Sequence, residues 1–166
     1  PFLSEGNQRL QKNIECYSAI VNFIEEYGGG TMFMNRDSAN KQTGFKAINL
    51  PILDLYKIAF GETISGGRFA YSNRVIVEAK DTSTFYFPTD ETKRDDWMSK
   101  NLYGYELILR MSNEPRLFKI MQEDLNKYFP YTGSVELRKM KCYVLTRTGP
   151  EELIKTKNKT AEPYND

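Results

Sequence analysis

Apolar residues recur at helical spacing near the start of the chain. Between residues 8 and 27 they lie four, three, four and three positions apart, at Leu10, Ile14, Tyr17, Val21 and Ile24. Such a stripe is typical of the buried face of an amphipathic helix. We therefore expect an N-terminal helix over residues 8–27, which the glycines at positions 28–30 end.

The following pattern predicts two strand-helix-strand units. In the first, over residues 31–80, the strands TMFMNR and FKAIN precede a helix capped by Asn49 and ended by Gly61, and RVIVEA is a strand. In the second, which follows an inserted loop within residues 81–148, YGYELILRM is a strand, Asn113 and Pro115 begin a helix, and SVELRKMKCYVLTR is the last strand. Each helix thus begins at an Asn-x-Pro sequence.

Both predicted helices carry one apolar face. The first places Ile52, Leu55, Tyr56 and Ala59 together, and the second places Leu117, Ile120, Met121, Leu125 and Tyr128 together. On the second unit's first strand, Tyr105, Leu107 and Leu109 share a face. The sequence therefore predicts a single α+β domain over residues 1–150, with the helices packed on one face of a mainly antiparallel sheet, and a polar tail over residues 151–166.

Composition limits the classes of function. The 166 residues are 40% hydrophobic, which is enough for the core of one domain. With 23 basic and 22 acidic side chains the net charge is only +1, so we do not expect nucleic acid as a partner. No apolar run reaches the roughly 18 residues of a membrane span. The start at Pro1 favours a processed product or an excised segment.

The reactive side chains are few. Histidine is absent, and the two cysteines are Cys16 and Cys142. This excludes Ser-His and Cys-His catalysis, histidine-ligated zinc and a C-x-x-C redox pair, and we expect no cofactor. Cys16 and Cys142 either form a disulfide, if the predicted helix lies over the last strand, or are two separately buried thiols.

Two groups of side chains are candidate sites. Exposed aromatic rings in loops bind sugars or peptides by stacking, although rings also pack in a core beneath a long loop. The aromatic candidates are Phe69, Tyr71, Phe85, Tyr86, Phe87 and Trp97. The second group is acidic: Asp90, Glu91, Asp95 and Asp96, with Glu62 or Glu78, would serve a carboxylate-dependent hydrolase or a cation site. A solvated charged loop accounts for the same residues.

The order of these elements resembles an uncharacterised bacterial domain family, first catalogued as associated with soil bacteria. The resemblance covers residues 44–150 and rests mostly on core and turn positions: Asn49, Leu53, Ala59, Gly61, Ile64, Gly66, Ala79, Lys80, Leu125, Phe129, Tyr143 and Leu145. Two departures are an added segment over residues 82–111 and Glu136, which stands near the position where many members have a histidine.

The resemblance implies an extracytoplasmic accessory domain, in the periplasm or cell envelope, sometimes joined to a thioredoxin-like module. Together with the lack of catalytic motifs, it favours a non-catalytic binding or interaction module that recognises a peptide, a glycan or a protein partner. The alternatives are the carboxylate-dependent enzyme or cation-binding domain and a structural spacer.

Overall fold

The structure, a computed structural model, describes residues 14–28, 30–36, 42–109, 114–141, 143, 144, 146 and 149. The chain divides into two compact units, Pro1–Val135 and Glu136–Asp166. All helices and strands of the described residues belong to the first unit. In the second unit, Arg138 forms an ion pair with Glu136, with 2.9 Å between Nη2 and Oε2.

A four-stranded antiparallel sheet forms the centre of the first unit. Its strands are β1 (Cys16–Asn22), β2 (Thr31–Arg36), β3 (Gln42–Pro51) and β4 (Leu102–Leu109), in the spatial order β1-β4-β3-β2. The two central strands are the most buried, and β4 is buried along most of its length. This placement follows from burial on both faces, which only a central strand experiences.

A β-bulge in β3 sets the side chains that face the helices. Ala47 pairs with Tyr105 and Leu50 pairs with Tyr103, so Ile48 and Asn49 together oppose a single residue of β4. The extra residue changes the alternation, and as a result Leu50 rather than Asn49 joins Ala47 in the core. Asn49 has a φ of 54°, a left-handed conformation that asparagine adopts more readily than most residues.

Two helices cover one face of the sheet. They are α1 (Ile52–Gly61), which follows β3 directly, and α3 (Glu114–Tyr128), which comes after β4. Their apolar stripes and the sheet form one buried cluster, which includes Phe45, Leu55, Tyr105, Leu107, Leu117, Met121 and Leu125. On the opposite face of the sheet, Lys46 and Glu106 are paired in register, with 3.6 Å between Nζ and Oε1.

A third helix, α2 (Arg94–Asn101), precedes β4. The sequence predicted only a loop here, because the segment has little apolar content. Trp97 is the buried residue of α2, and the short 3-10 turn Glu91–Lys93 leads into it. One large ring therefore provides enough burial to hold a helix whose other side chains are mostly polar.

The prediction of an N-terminal helix was wrong. The described part of that stretch forms β1, which pairs with β4 along its whole length, from Cys16 opposite Leu109 to Asn22 opposite Tyr103. Without β1, the backbone groups on that edge of the buried β4 would lack ladder partners, and this pairing outweighs the helical spacing of the apolar residues. The α+β class and the antiparallel sheet are confirmed.

The strand-helix-strand arrangement was also wrong. The strands before each helix and the helices themselves are present. RVIVEA, however, begins in the 3-10 turn Ser72–Arg74 and otherwise has no regular structure, and the described part of SVELRKMKCYVLTR belongs to no strand. The four-stranded sheet has its second edge at β2 and includes neither segment. On α3, Tyr128 is exposed rather than part of the buried stripe, since the helix ends there.

The prediction that Asn49 caps α1 was wrong. The N-cap position is Pro51, which makes no side-chain capping bond, and the helix ends with Glu62 in the left-handed conformation. Asn49 instead binds the β1–β2 connection: its Nδ2 donates to the carbonyl oxygens of Ile24 and Tyr27, and its Oδ1 accepts from the Ile24 amide.

Some predicted features lie outside the described residues. They are residues 8–13 of the N-terminal helix, Asn113, Cys142 and the polar tail over residues 151–166. Cys16 lies on β1, where it is exposed and its thiol is free.

Candidate functional site

The outer surface of α1 forms one side of a groove. Because the apolar stripe of α1 turns toward the core, Leu53, Asp54 and Lys57 remain on the opposite side of the helix. Lys57 Nζ lies 2.9 Å from Asp54 Oδ1, and this i,i+3 pair leaves the helix surface without net charge at that point.

The loop between residues 81 and 90 forms the other side and is held at two points. The buried ring of Phe85 packs at 4.8 Å, between centroids, from the ring of Tyr131. Trp97 of α2 donates its indole N–H to the carbonyl oxygen of Ser83 at 2.6 Å, and its ring lies 4.5 Å from that of Phe87. These contacts fix the loop against the rest of the unit.

Between these two sides lies an open groove of about 240 Å³. It is lined by the start of α1, by Val75, and by Phe85, Tyr86 and Phe87. Tyr86 is 50% exposed and Phe87 46% exposed, although their neighbour Phe85 is buried. The groove is thus mainly apolar, with one ion pair on its α1 side.

The groove is smaller than the roughly 300–1,000 Å³ of a site that encloses a drug-sized molecule. It has room for a single apolar side chain or for a short part of an extended ligand. Among the described residues that line it, the charged groups are Asp54 and Lys57, which bind each other. The chemistry that this arrangement offers is stacking and apolar contact rather than proton transfer.

The structure brings together three of the six aromatic residues predicted as ligand-binding, Phe85, Tyr86 and Phe87. Trp97 lies behind Phe87 and is buried. Phe69 and Tyr71 do not line the groove. Phe69 is half-buried in a 3-10 turn with the guanidinium of Arg68 5.6 Å from its ring centroid, and Tyr71 is exposed.

The sequence reasoning missed the α1 side of the groove. Leu53 was the residue that could have indicated this side. It is apolar but falls outside the buried stripe of the helix, and such a residue indicates an apolar patch on the outer surface. Val75 was predicted as part of a strand, and no feature of its local sequence indicated that it would border a groove.

The acidic candidates lie elsewhere. Asp90, Glu91, Asp95, Asp96, Glu62 and Glu78 are all exposed, and none lines the groove. Asp90 accepts hydrogen bonds from the hydroxyl and amide of Thr92, which lower the pKa of its carboxyl. Asp96 forms an ion pair with Lys100 at 2.6 Å. Among the described residues there is no group of three or more acidic or cysteine side chains placed to hold a metal ion.

Within the described ranges, no helix has both the length and the apolar character needed to cross a membrane. Comparison of the chain with family models, with curated proteins and with solved structures found no match.

Proposed function

We propose that the protein is a non-catalytic binding module and that the groove between α1 and the loop over residues 81–90 is its ligand site. The proposal rests on a difference in burial within the tripeptide at residues 85–87. Phe85 is buried, whereas Tyr86 and Phe87 remain about half exposed beside an apolar groove. Half-exposed rings on a fixed loop are typical of binding surfaces.

The cost of ordering this surface is low. The indole N–H of Trp97 and the ring contacts of Phe85 and Phe87 hold the loop in place without a ligand. A ligand then gains the contact area of the two rings without having to order the loop on binding, which is the usual advantage of a preorganised site.

The cellular setting is part of the same proposal. An extracytoplasmic location, in the periplasm or cell envelope, and a peptide, glycan or protein partner rest on the resemblance to the soil-bacterium-associated domain family. A thioredoxin-like module in a parent chain has the same support. The carboxylate-dependent enzyme is less favoured, because its acidic residues are exposed and lie outside the groove.

The test is binding measured by isotope-edited NMR with a panel of envelope glycans and short peptides. We expect a ligand that shifts the signals of Tyr86 and Phe87, and Tyr86→Ala to weaken its binding about tenfold, the usual effect of losing one well-placed ring. Tyr128→Ala is the matched control, because Tyr128 is a similarly exposed tyrosine on α3 that does not line the groove.

Binding that Tyr86→Ala and Tyr128→Ala weaken equally would contradict the assignment of the site. If no member of the panel binds, the result would contradict the binding module and favour a structural spacer. The divalent cations Mg²⁺ and Ca²⁺ belong in the panel, because a cation-dependent shift at Asp90 or Asp95 would favour the acidic alternative instead.

A further inference from the structure

Tyr86 is the aromatic ring of the groove with the fewest contacts. Phe85 packs against Tyr131 and Phe87 packs against Trp97, whereas Tyr86 makes no ring contact with any of the described residues. It is 50% exposed, and within the described part of the chain its hydroxyl group makes no hydrogen bond. Because the face of an aromatic ring attracts cations and flat groups, Tyr86 can receive such a group from a ligand.

The α1 side of the groove presents a carboxylate. Asp54 and Lys57 form an ion pair through Oδ1, but the two side chains are unequally covered: that of Asp54 is 43% exposed and that of Lys57 is 17% exposed. Oδ2 of Asp54 accepts no hydrogen bond from the residues that the structure describes. Although the pair is neutral as a whole, a ligand in the groove therefore meets a carboxylate oxygen that can still accept a hydrogen bond.

The other side chains of the groove wall are apolar, and they include Pro51, Leu53 and Val75. An arginine side chain matches this combination of surfaces. Its methylene stem is buried readily along apolar groups, while its planar guanidinium stacks on an aromatic face and donates hydrogen bonds to a carboxylate.

We propose that the ligand of the groove is a peptide that inserts an arginine side chain, with its guanidinium stacked on Tyr86 and hydrogen-bonded to Oδ2 of Asp54. The groove of about 240 Å³ has room for one large side chain, so a single residue can contact both groups while the peptide backbone remains outside. This inference rests on the proposed function of the groove, because it names the ligand of that site.

Other ligand groups match the groove less well. A lysine ammonium is strongly hydrated and has no flat face to stack on the ring of Tyr86. An uncharged apolar side chain would cover Oδ2 of Asp54 without donating a hydrogen bond to it. An acidic ligand would be repelled by Asp54, since the more deeply covered Lys57 is already paired. A neutral glycan has no positive charge to offer the carboxylate.

The probes are capped peptides of the form Gly-Ala-X-Ala-Gly, in which X is arginine, citrulline, lysine or leucine. Citrulline has the shape of arginine but no charge. We expect the arginine peptide to bind at least about fivefold more tightly than the others at low salt, the effect of an ion pair and a cation–ring contact at a partly exposed site. The arginine peptide should shift the NMR signals of Tyr86, and its advantage over citrulline should shrink as salt is added.

Two variants of α1 test the carboxylate. Asp54→Asn removes the charge and keeps the size, so it should bind the arginine and citrulline peptides equally. Lys57→Gln should bind the arginine peptide about two- to fivefold more tightly, because it frees Oδ1 of Asp54 and removes a positive charge beside the guanidinium. Lys100→Gln is the matched control: it breaks the ion pair with Asp96 and changes the net charge equally, but it lies outside the groove and should leave binding unchanged.

Weaker binding of the arginine peptide to Lys57→Gln, or a preference for arginine over citrulline that persists in Asp54→Asn, would overturn the role of the carboxylate. Equally tight binding of the leucine or lysine peptide, or a glycan as the sole ligand that depends on Tyr86, would overturn this inference and leave the proposed function intact. The absence of any ligand dependent on Tyr86 would remove both. Self-association that Tyr86→Ala abolishes would identify a second copy as the occupant and overturn the peptide ligand.

Discussion

Replacement of Asn49 tests the structure most directly. The sequence predicts that this residue caps α1, whereas in the structure its side chain binds the β1–β2 connection. Its side chain is 1% exposed and makes three hydrogen bonds to the β1–β2 connection, at 2.7, 2.8 and 2.9 Å. Two of these are donated by Nδ2 to carbonyl oxygens. A helix cap, by contrast, would accept hydrogen bonds from amides in the first turn of α1.

The expected loss of stability follows from these contacts. Three hydrogen bonds at about 1 kcal/mol each give about 3 kcal/mol for Asn49→Gly, which still adopts a positive φ. Asn49→Ala must also hold the φ of 54°, which costs an alanine about 1–2 kcal/mol more. The alanine variant should therefore lose about 4–5 kcal/mol, a large share of the 5–15 kcal/mol typical of a domain.

The decisive variant is Asn49→Asp. It keeps the size and the accepting oxygen but replaces the donating Nδ2 by an oxygen that faces the carbonyl groups of Ile24 and Tyr27. We expect it to be at least as destabilising as Asn49→Ala. If Asn49 were a cap, Asp would be neutral, because aspartate and asparagine cap helices about equally well.

Urea denaturation followed by circular dichroism measures all three variants. With an m-value of about 2 kcal/mol/M, a loss of 4 kcal/mol lowers the midpoint by about 2 M. An Asn49→Asp midpoint close to that of the wild type would refute the assignment of Nδ2 as a donor to Ile24 and Tyr27. Equal midpoints for the glycine and alanine variants would refute the strained backbone.

Three further predictions concern the packing of α1 and of the loop over residues 81–90. Gly133→Ala should destabilise the folded protein by about 1–3 kcal/mol, because the added Cβ would overlap ring carbons of Phe60 and Tyr56; an unchanged urea midpoint would contradict that packing. Burial raises the pKa of Tyr56 from 10.0 to about 12, with a smaller contribution from Tyr131. Because the folded pKa is the higher one, this contribution to stability is present below pH 10 and is lost as the pH rises toward 12. Tyr56→Phe should therefore flatten the decline of unfolding free energy in that range, and identical slopes would contradict the shift. Trp97→Phe removes the hydrogen bond to Ser83 and should cost about 1–2 kcal/mol and increase amide exchange in the loop over residues 81–90; unaltered exchange would show that the indole does not hold the loop.

The confirmed elements share one property, which is a strong local signal that agrees with burial. The apolar stripe of α1, that of α3 up to Leu125, and the alternation of Tyr105, Leu107 and Leu109 in β4 all face the observed core. In each of these segments, the spacing of the apolar residues favours the same conformation that packing against the neighbouring elements requires. Such segments can be predicted from sequence alone.

The wrong predictions arise where the local pattern allows two conformations and a distant strand decides between them. The apolar residues from Tyr17 to Ile24 fit a helical stripe, but β4 pairs with this stretch and holds it extended. Asn49 likewise matches a cap until the bulge opposite β4 turns it toward Ile24. Neither outcome is encoded within a few residues of the position itself, because it depends on contacts between remote parts of the chain.

The difference between local pattern and remote contacts also explains why the candidate site was predicted only in part. A sequence motif of three aromatic residues indicates that rings lie together, but it does not show which of them is buried. Residues remote in sequence decide which ring is buried. Tyr131, which follows α3, packs against Phe85, and Trp97 of α2 packs against one side of Phe87. Tyr86 is left beside α1 in the groove. Residues 75–79 show the same limit: their sequence favours a strand and their side chains alternate as in a strand, but they belong to no strand of the sheet.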